Sequence, residues 1–152
     1  MAPTARQDGL ALLARRDLTT AELSARLTRK GHSPEEISAT IDELLAAGAI
    51  DERRVAEVVV RAALRRHHGR ARALQALAAR GIPSPIAREV VADAFDALDE
   101  ESLVDAALAR RLRDESADPR VVRRVHGQLV RLGYSSGAIA AALRRRGLWP
   151  VR

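Results

Sequence analysis

The sequence predicts an all-α protein, an elongated tandem array of three three-helix repeats, and three observations predict it. One phrase recurs: Leu, Gly four residues on, an aliphatic six residues past the Gly, and another four further. Its copies are Leu27, Gly31, Ile37, Ile41; then Leu77, Gly81, Ala87 (with Ile86 beside it), Val91; then Leu129, Gly133, Ile139, Leu143. The glycines stand about 50 residues apart, the period of a repeat architecture. The apolar content, 47%, is carried by Ala, Leu and Val, with only 2% aromatics, a composition that favours helix over strand. Every recurrence is also bracketed by helix stop and start signals.

The first helix is expected from about Asp8 to Arg16, with Leu10, Leu13 and Ala14 inward at helical spacing. Thr19 with Glu22 is a capping box opening the second helix, which carries Leu23 and Leu27 and stops at Gly31. Ser33-Pro34-Glu35-Glu36 starts the third helix, with Ile37, Ile41, Leu44 and Leu45 as its stripe and Gly48 as its end. The fourth helix runs from Glu52 to about His67, turning Val55, Val59 and Ala63 inward, and Gly69 breaks it. The fifth spans Arg70 to Arg80 with Leu74 and Leu77. Pro83-Ser84-Pro85 starts the sixth, on Ile86, Val90, Val91, Ala94 and Phe95. The seventh holds Leu103, Ala107, Leu108 and Leu112. Asp118-Pro119 caps the eighth, with Val122, Val125 and Leu129, and the ninth runs from Ser136 to Arg146 on Ile139 and Leu143 before Gly147 to Pro150 close the chain. Short joints at Ala49–Asp51 and Leu98–Asp99 set the repeats at 1–50, 51–98 and 99–152. Units this small have meagre cores, so neighbours are expected to brace one another.

Charge is unevenly spread. The chain carries +6 overall; residues 1–50 hold 6 cations against 7 acids, 51–98 hold 9 against 6, and 99–152 hold 11 against 7. No acid occurs from Val58 to Arg88, where Arg61, Arg65, Arg66, Arg70, Arg72, Arg80 and Arg88 fall. None occurs from Pro119 onward, where Arg120, Arg123, Arg124, Arg131, Arg144, Arg145, Arg146 and Arg152 fall. Such stretches suit an anionic partner. Cations near helix C-termini also complement the helix dipole, and Arg65, Arg66, Arg80 and Arg144 to Arg146 sit at such ends. The run Arg65-Arg66-His67-His68-Gly69-Arg70-Ala71-Arg72 exceeds what helix support needs.

Catalytic and metal chemistry find no footing. There is no cysteine. His32, His67, His68 and His126 lack the i, i+4 spacing of a helical metal site and read as surface histidines. Acidic clusters fall at helix starts, and no phosphate-binding glycine loop occurs. The expectation is a non-enzyme without cofactor or metal, cytoplasmic, monomeric and with no membrane segment. Helices two and three around Gly31 form a helix-turn-helix-like pair, which keeps a DNA-binding transcriptional regulator as the alternative; a purely protein-binding helical adaptor is a third reading. Glu35, Glu36, Asp42 and Glu43 on the post-turn helix would repel phosphates, and base-reading side chains are scarce, so engagement of DNA is expected to be electrostatic and not sequence-specific.

The stretch Leu10-Ala11-Leu12-Leu13-Ala14-Arg15-Arg16-Asp17-Leu18-Thr19-Thr20-Ala21-Glu22-Leu23, followed by Leu27 and Lys30-Gly31, resembles the opening of the bacterial RecX regulators. Gly48 to Asp51 with Arg54-Val55-Ala56 is similar to that family's joint into its second repeat, and Arg80-Gly81-Ile82 and Leu132-Gly133-Tyr134 are similar to its later turns. The likeness covers nearly the whole chain. It departs at Val55 and Tyr134, where the family usually has Phe, near Val59, where it has an aromatic, and at Ala76-Leu77, where it has Glu-Leu. The lost aromatics bear either on a partner surface or on core packing.

The resemblance implies tandem three-helix repeats that lodge in the groove of a RecA–DNA filament, span neighbouring protomers, and inhibit ATP hydrolysis, strand exchange and filament growth in DNA recombination and repair. On this reading Arg65, Arg66, Arg70, Arg72, Arg123, Arg124, Arg144, Arg145 and Arg146 face the polyanion or the filament. Arg70 and Arg72 are then the positions where charge reversal should abolish inhibition.

Overall fold

Helix starts in this chain are fixed by side chains that accept hydrogen bonds from otherwise orphaned amides. Thr4 with Gln7, Thr19 with Glu22, and Ser33 with Glu36 form reciprocal capping boxes. Asp99, Asp118 and Ser135 cap later helices. The result is α1 (Ala5–Leu13), α2 (Thr20–Arg29), α3 (Pro34–Ala46), α4 (Glu52–Arg65), α5 (Arg70–Ala79), α6 (Ser84–Phe95), α7 (Glu100–Arg111), α8 (Pro119–Arg131) and α9 (Ser136–Arg145). The computed structural model describes residues 1–112 and 118–149, and no strand occurs among them. Pro150 and Arg152, placed by the sequence at the chain end and in its basic stretch, lie outside the described residues.

Several expectations are corrected. α1 begins and ends three residues early, because Thr4 and Gln7 form a box that the hydrophobic pattern does not reveal. Its fully buried residues are Ala5, Asp8 and Gly9; Leu13 packs on the core as expected, with Leu12 beside it, while Leu10 is 38% exposed and Ala14 is exposed. A Cβ on Gly9 would lie 3.2 Å from Leu44 Cδ1, so α1 approaches α3 on its small residues. Leu45 is exposed, and Val55, Ala56, Val60 and Ala63 form the buried face of α4 while Val59 is only half-buried. α4 ends at Arg65 because His67 takes the left-handed conformation, φ +56°, where the break was expected at Gly69. His32 is not a free surface histidine: its Nε2 lies 2.8 Å from Asp8 Oδ2, and Lys30 Nζ donates to Asp8 Oδ1 at 2.9 Å. These two contacts hold the Asp8 carboxyl below its ordinary range, Lys30 contributing most.

The chain divides into two compact units, residues 1–59 with 76–90, and residues 60–75 with 91–152. In the first, α1, α2 and α3 pack on one another around Leu18, Leu23, Leu27, Ile37, Ile41, Leu44 and Ile50. In the second, α7, α8 and α9 pack around Val104, Leu108, Val122, Val125, Leu129, Tyr134, Ile139 and Leu143. Each fully buried leucine in these cores contributes on the order of 2 kcal/mol. α4, α5 and α6 are each divided between the units. Val55 and Tyr134, where the family's Phe is absent, are both core positions, so those departures are matters of packing.

One joint occurs in both units. In the first, the α5–α6 turn sits on the start of α2. Thr19 Oγ1 donates to the Arg80 carbonyl at 2.7 Å, and the Arg80 guanidinium forms a fork to Glu22 with both distances 2.9 Å. A Cβ on Gly81 (φ +75°) would stand 2.6 Å from Ala21 Cβ. In the second unit, the α8–α9 turn sits on the start of α5. Gly69 N donates to the Leu132 carbonyl at 2.7 Å, Ala71 N to the Gly133 carbonyl at 3.2 Å, and the Tyr134 hydroxyl to the His67 carbonyl at 2.6 Å. A Cβ on Gly133 (φ +95°) would fall 2.3 Å from Arg72 N, and one on Gly69 would fall 2.5 Å from the Gly133 carbonyl carbon. Both joints thus need a glycine for shape and for space.

Gly133→Ala is expected to lower unfolding stability by about 3 kcal/mol or more, since it adds a backbone collision to a left-handed conformation. Gly31→Ala, at φ +93° with nothing within 4 Å, should cost only about 1 kcal/mol; denaturant titration compares the two. Arg80 holds the Glu22 carboxyl below its ordinary 4.5, chiefly through their hydrogen bonds. Its contribution is therefore present above the unfolded value and lost as pH falls through the lowered one. Glu22→Gln should be less stable than the unsubstituted chain by about 1–2 kcal/mol at pH 7, with the gap closing below about pH 4 in thermal melts.

Candidate cationic docking surface

All nine arginines singled out from the sequence belong to the second unit, and the structure sorts them into two groups. Four are engaged. Arg70 donates to Asp96 Oδ1 at 2.6 Å and its guanidinium carbon stands 5.7 Å from the centre of the Phe95 ring. Arg72 lies under Gly133 and donates to the Arg131 carbonyl at 3.4 Å. Arg145 bridges Glu101 at 2.6 Å and Asp105 at 2.8 Å, and these carboxylates hold it more firmly protonated, Asp105 foremost. Arg146 donates to the Asp105 carbonyl at 3.3 Å. Arg70 and Arg72 therefore shape the fold, and reversing their charge would disturb Asp96, Phe95 and the α8–α9 turn before it tested any partner.

The other five, Arg65, Arg66, Arg123, Arg124 and Arg144, are exposed and meet no carboxylate among the described residues. Arg65 and Arg66 stand at the end of α4. Arg66 and Arg72 act together with burial to push the His68 imidazole below its ordinary 6.5, burial being the larger cause. The α4–α5 junction is thus cationic without any charge on His68 at neutral pH.

α8 carries the clearest face. Val122, Val125 and Leu129 are buried. At about 100° per residue, Arg120, Arg124, Gly127 and Arg131 share the opposite stripe, with Arg123 alongside. No acid lies on this helix, and Asp118 Oδ1, at its N-cap, accepts from Arg120 N. Arg120 and Arg131, outside the nine arginines singled out from the sequence, belong to this stripe as well. The signal was available: both recur with Arg124 at helical spacing opposite the apolar residues. Gly127 leaves the middle of the stripe low.

The N-terminus of α5 offers no anion site, because the Leu132 and Gly133 carbonyls already take the Gly69 and Ala71 amides. Among the described residues no group of three or more His, Asp or Glu is disposed to hold a metal. No helix there is long and apolar enough to cross a membrane.

Known proteins match this architecture. The family model described as the first three-helix domain of RecX matches residues 5–44, and that described as its second three-helix domain matches residues 51–91. Regulatory protein RecX of Chromohalobacter salexigens is 38% identical over 117 residues, covering 77% of this chain and 76% of that protein. Regulatory protein RecX of Halorhodospira halophila is 35% identical over 140 residues, covering 90% and 84%. The crystal structure of RecX from Lactobacillus salivarius superposes with a TM-score of 0.78 at 23% identity over 95% of each chain, a likeness of fold.

A polyanion probe separates the two groups of arginines. Arg123→Ala with Arg124→Ala should weaken binding of a single-stranded oligonucleotide and flatten the log K against log salt slope by about 2. Arg145→Ala, removing a cation already neutralised by two carboxylates, should leave that slope nearly unchanged; fluorescence anisotropy at several salt concentrations measures both.

Proposed function

The chain belongs to the RecX family of regulatory proteins, and we propose that it binds a RecA-type recombinase filament and inhibits ATP hydrolysis, strand exchange and filament growth. It does so by binding alone, as a monomer in the cytoplasm, with no reaction of its own. The observation that carries this reading is the set of exposed guanidiniums on the second unit that meet no carboxylate among the described residues: Arg65, Arg66, Arg123, Arg124 and Arg144. A nucleoprotein filament presents both a protein wall and DNA phosphates, and these cations suit the phosphates without reading bases. Residues 99–152 are taken as the third repeat, supported by the separate core of α7, α8 and α9, beside repeats at 1–50 and 51–98.

ATP turnover by RecA on single-stranded DNA tests the reading. Stoichiometric addition of the chain should lower turnover severalfold, and Arg123→Glu with Arg124→Glu should restore most of it while helicity stays constant by circular dichroism. Turnover unaffected by the unsubstituted chain would refute the proposal.

A further inference from the structure

The acidic face of α3 plays no part in that reading, and it borders an open groove of the first unit. An open groove of about 410 Å³ separates α2 from α3. Thr20, Ser24 and Thr28 form one wall at i, i+4 and i+8, Ile37 and Ile41 supply an apolar floor, and Asp42 lies on the other wall. Thr28 Oγ1 donates to the Ser24 carbonyl at 2.9 Å. Thr20 Oγ1 is buried without a hydrogen-bond partner, a state that costs free energy until something meets it.

Charge around the groove has one sign. Of the four acids on α3, Glu36 closes the capping box with Ser33, and Glu43 pairs with Arg6 at 3.4 Å. Glu35 and Asp42 are exposed and, among the described residues, without a cation; Asp42 lines the groove and Glu35 stands outside its lining. Seven residues apart, they fall within about 20° of each other around the helix. The nearby cations are spoken for or turned away. Lys30 and His32 hold Asp8, while Arg26 and Arg29 project about 200° and 140° around α2 from Ser24. Two unneutralised carboxylates beside an apolar floor repel a phosphate chain and attract a cationic side chain next to an aliphatic one.

We propose that the α2–α3 groove of the first unit receives a protein segment of the recombinase that presents an aliphatic side chain flanked by lysine or arginine, with the aliphatic group over Ile37 and Ile41, the cation at Asp42, and Glu35 drawing it in from outside the groove. This rests on the function proposed above. It divides the labour: protein at the first unit, phosphates at the second.

The test uses the full chain, labelled with a fluorophore at its amino terminus, and RecA assembled on single-stranded DNA with a slowly hydrolysed ATP analogue. Ser24→Trp fills the groove; Glu35→Lys with Asp42→Lys reverses its charge at exposed positions and so controls for misfolding. Each should weaken filament affinity at least tenfold with helicity unchanged. Affinity for the same DNA without recombinase should be unchanged for Ser24→Trp and unchanged or higher for the lysine variant. Filament affinity within twofold of the unsubstituted chain for both variants would overturn the groove while leaving the family-based function standing. Equal loss on bare DNA would also overturn it. No filament binding by the unsubstituted chain would overturn both readings. A concentration-dependent dimer in sedimentation, lost in Ser24→Trp while filament affinity holds, would assign the groove to a second copy and overturn the proposal.

Discussion

The seating of a turn glycine on the start of an earlier helix is the constraint on which this structure depends. At Gly81 the seat is Ala21, and at Gly133 it is the Arg72 backbone. In both cases the turn carbonyl takes a donor from the receiving helix: the Thr19 hydroxyl for Arg80, the Gly69 amide for Leu132. The two solutions differ in chemistry and agree in geometry. Backbone polar groups at helix ends must find partners, and here a turn from the following triplet supplies them. Small helical triplets with few large side chains gain order from such contacts that their own cores do not supply.

That constraint also decides which arginines are spare. Arg72 is fixed because its backbone lies under Gly133, Arg80 because it clamps Glu22, and Arg70 because Asp96 and the Phe95 ring hold it. Arginines with no structural role remain at the end of α4, along α8 and at Arg144. An exposed ion pair contributes little stability, but it does neutralise a cation toward an outside partner. Arg145 illustrates this, with Glu101 and Asp105 both against it, whereas Arg123 and Arg124 are exposed and meet no carboxylate among the described residues.

Much of this was legible in the sequence, and the rest was not for identifiable reasons. Thr19–Glu22 and Ser33–Glu36 start helices where their spacing says they should, and the glycines at 31, 81 and 133 take positive φ. The start of α1 is hard to see in the sequence because the first turns of its inner face are Ala5, Asp8 and Gly9, with apolar bulk only at Leu12 and Leu13. Gly69 was read as a breaker when it is a seat, since only the fold brings Gly133 within reach of it. The Arg stretches were visible as composition, but their pairing was not. Asp96 lies 26 residues from Arg70, and Asp105 lies 40 from Arg145, separations across which a sequence gives no distance. The stripe on α8 stood at an intermediate level: helical spacing alone aligns Arg120, Arg124 and Arg131.

The aromatic inventory limits what kind of recognition such a surface can perform. Phe95 and Tyr134 are buried. Trp149 is half-buried and stacks on His126 with ring centres 5.3 Å apart. No aromatic ring among the described residues therefore stands free to stack on a base, and stacking is what lets a protein grip unpaired bases. Nor does α8 carry the asparagine or glutamine pairs that read base edges; its exposed polar groups are guanidiniums, with Gln128 half-buried. What remains is charge at helical spacing, which follows a phosphate backbone and ignores its sequence. A surface of that kind offers charge at a regular spacing and no means of selecting one base over another.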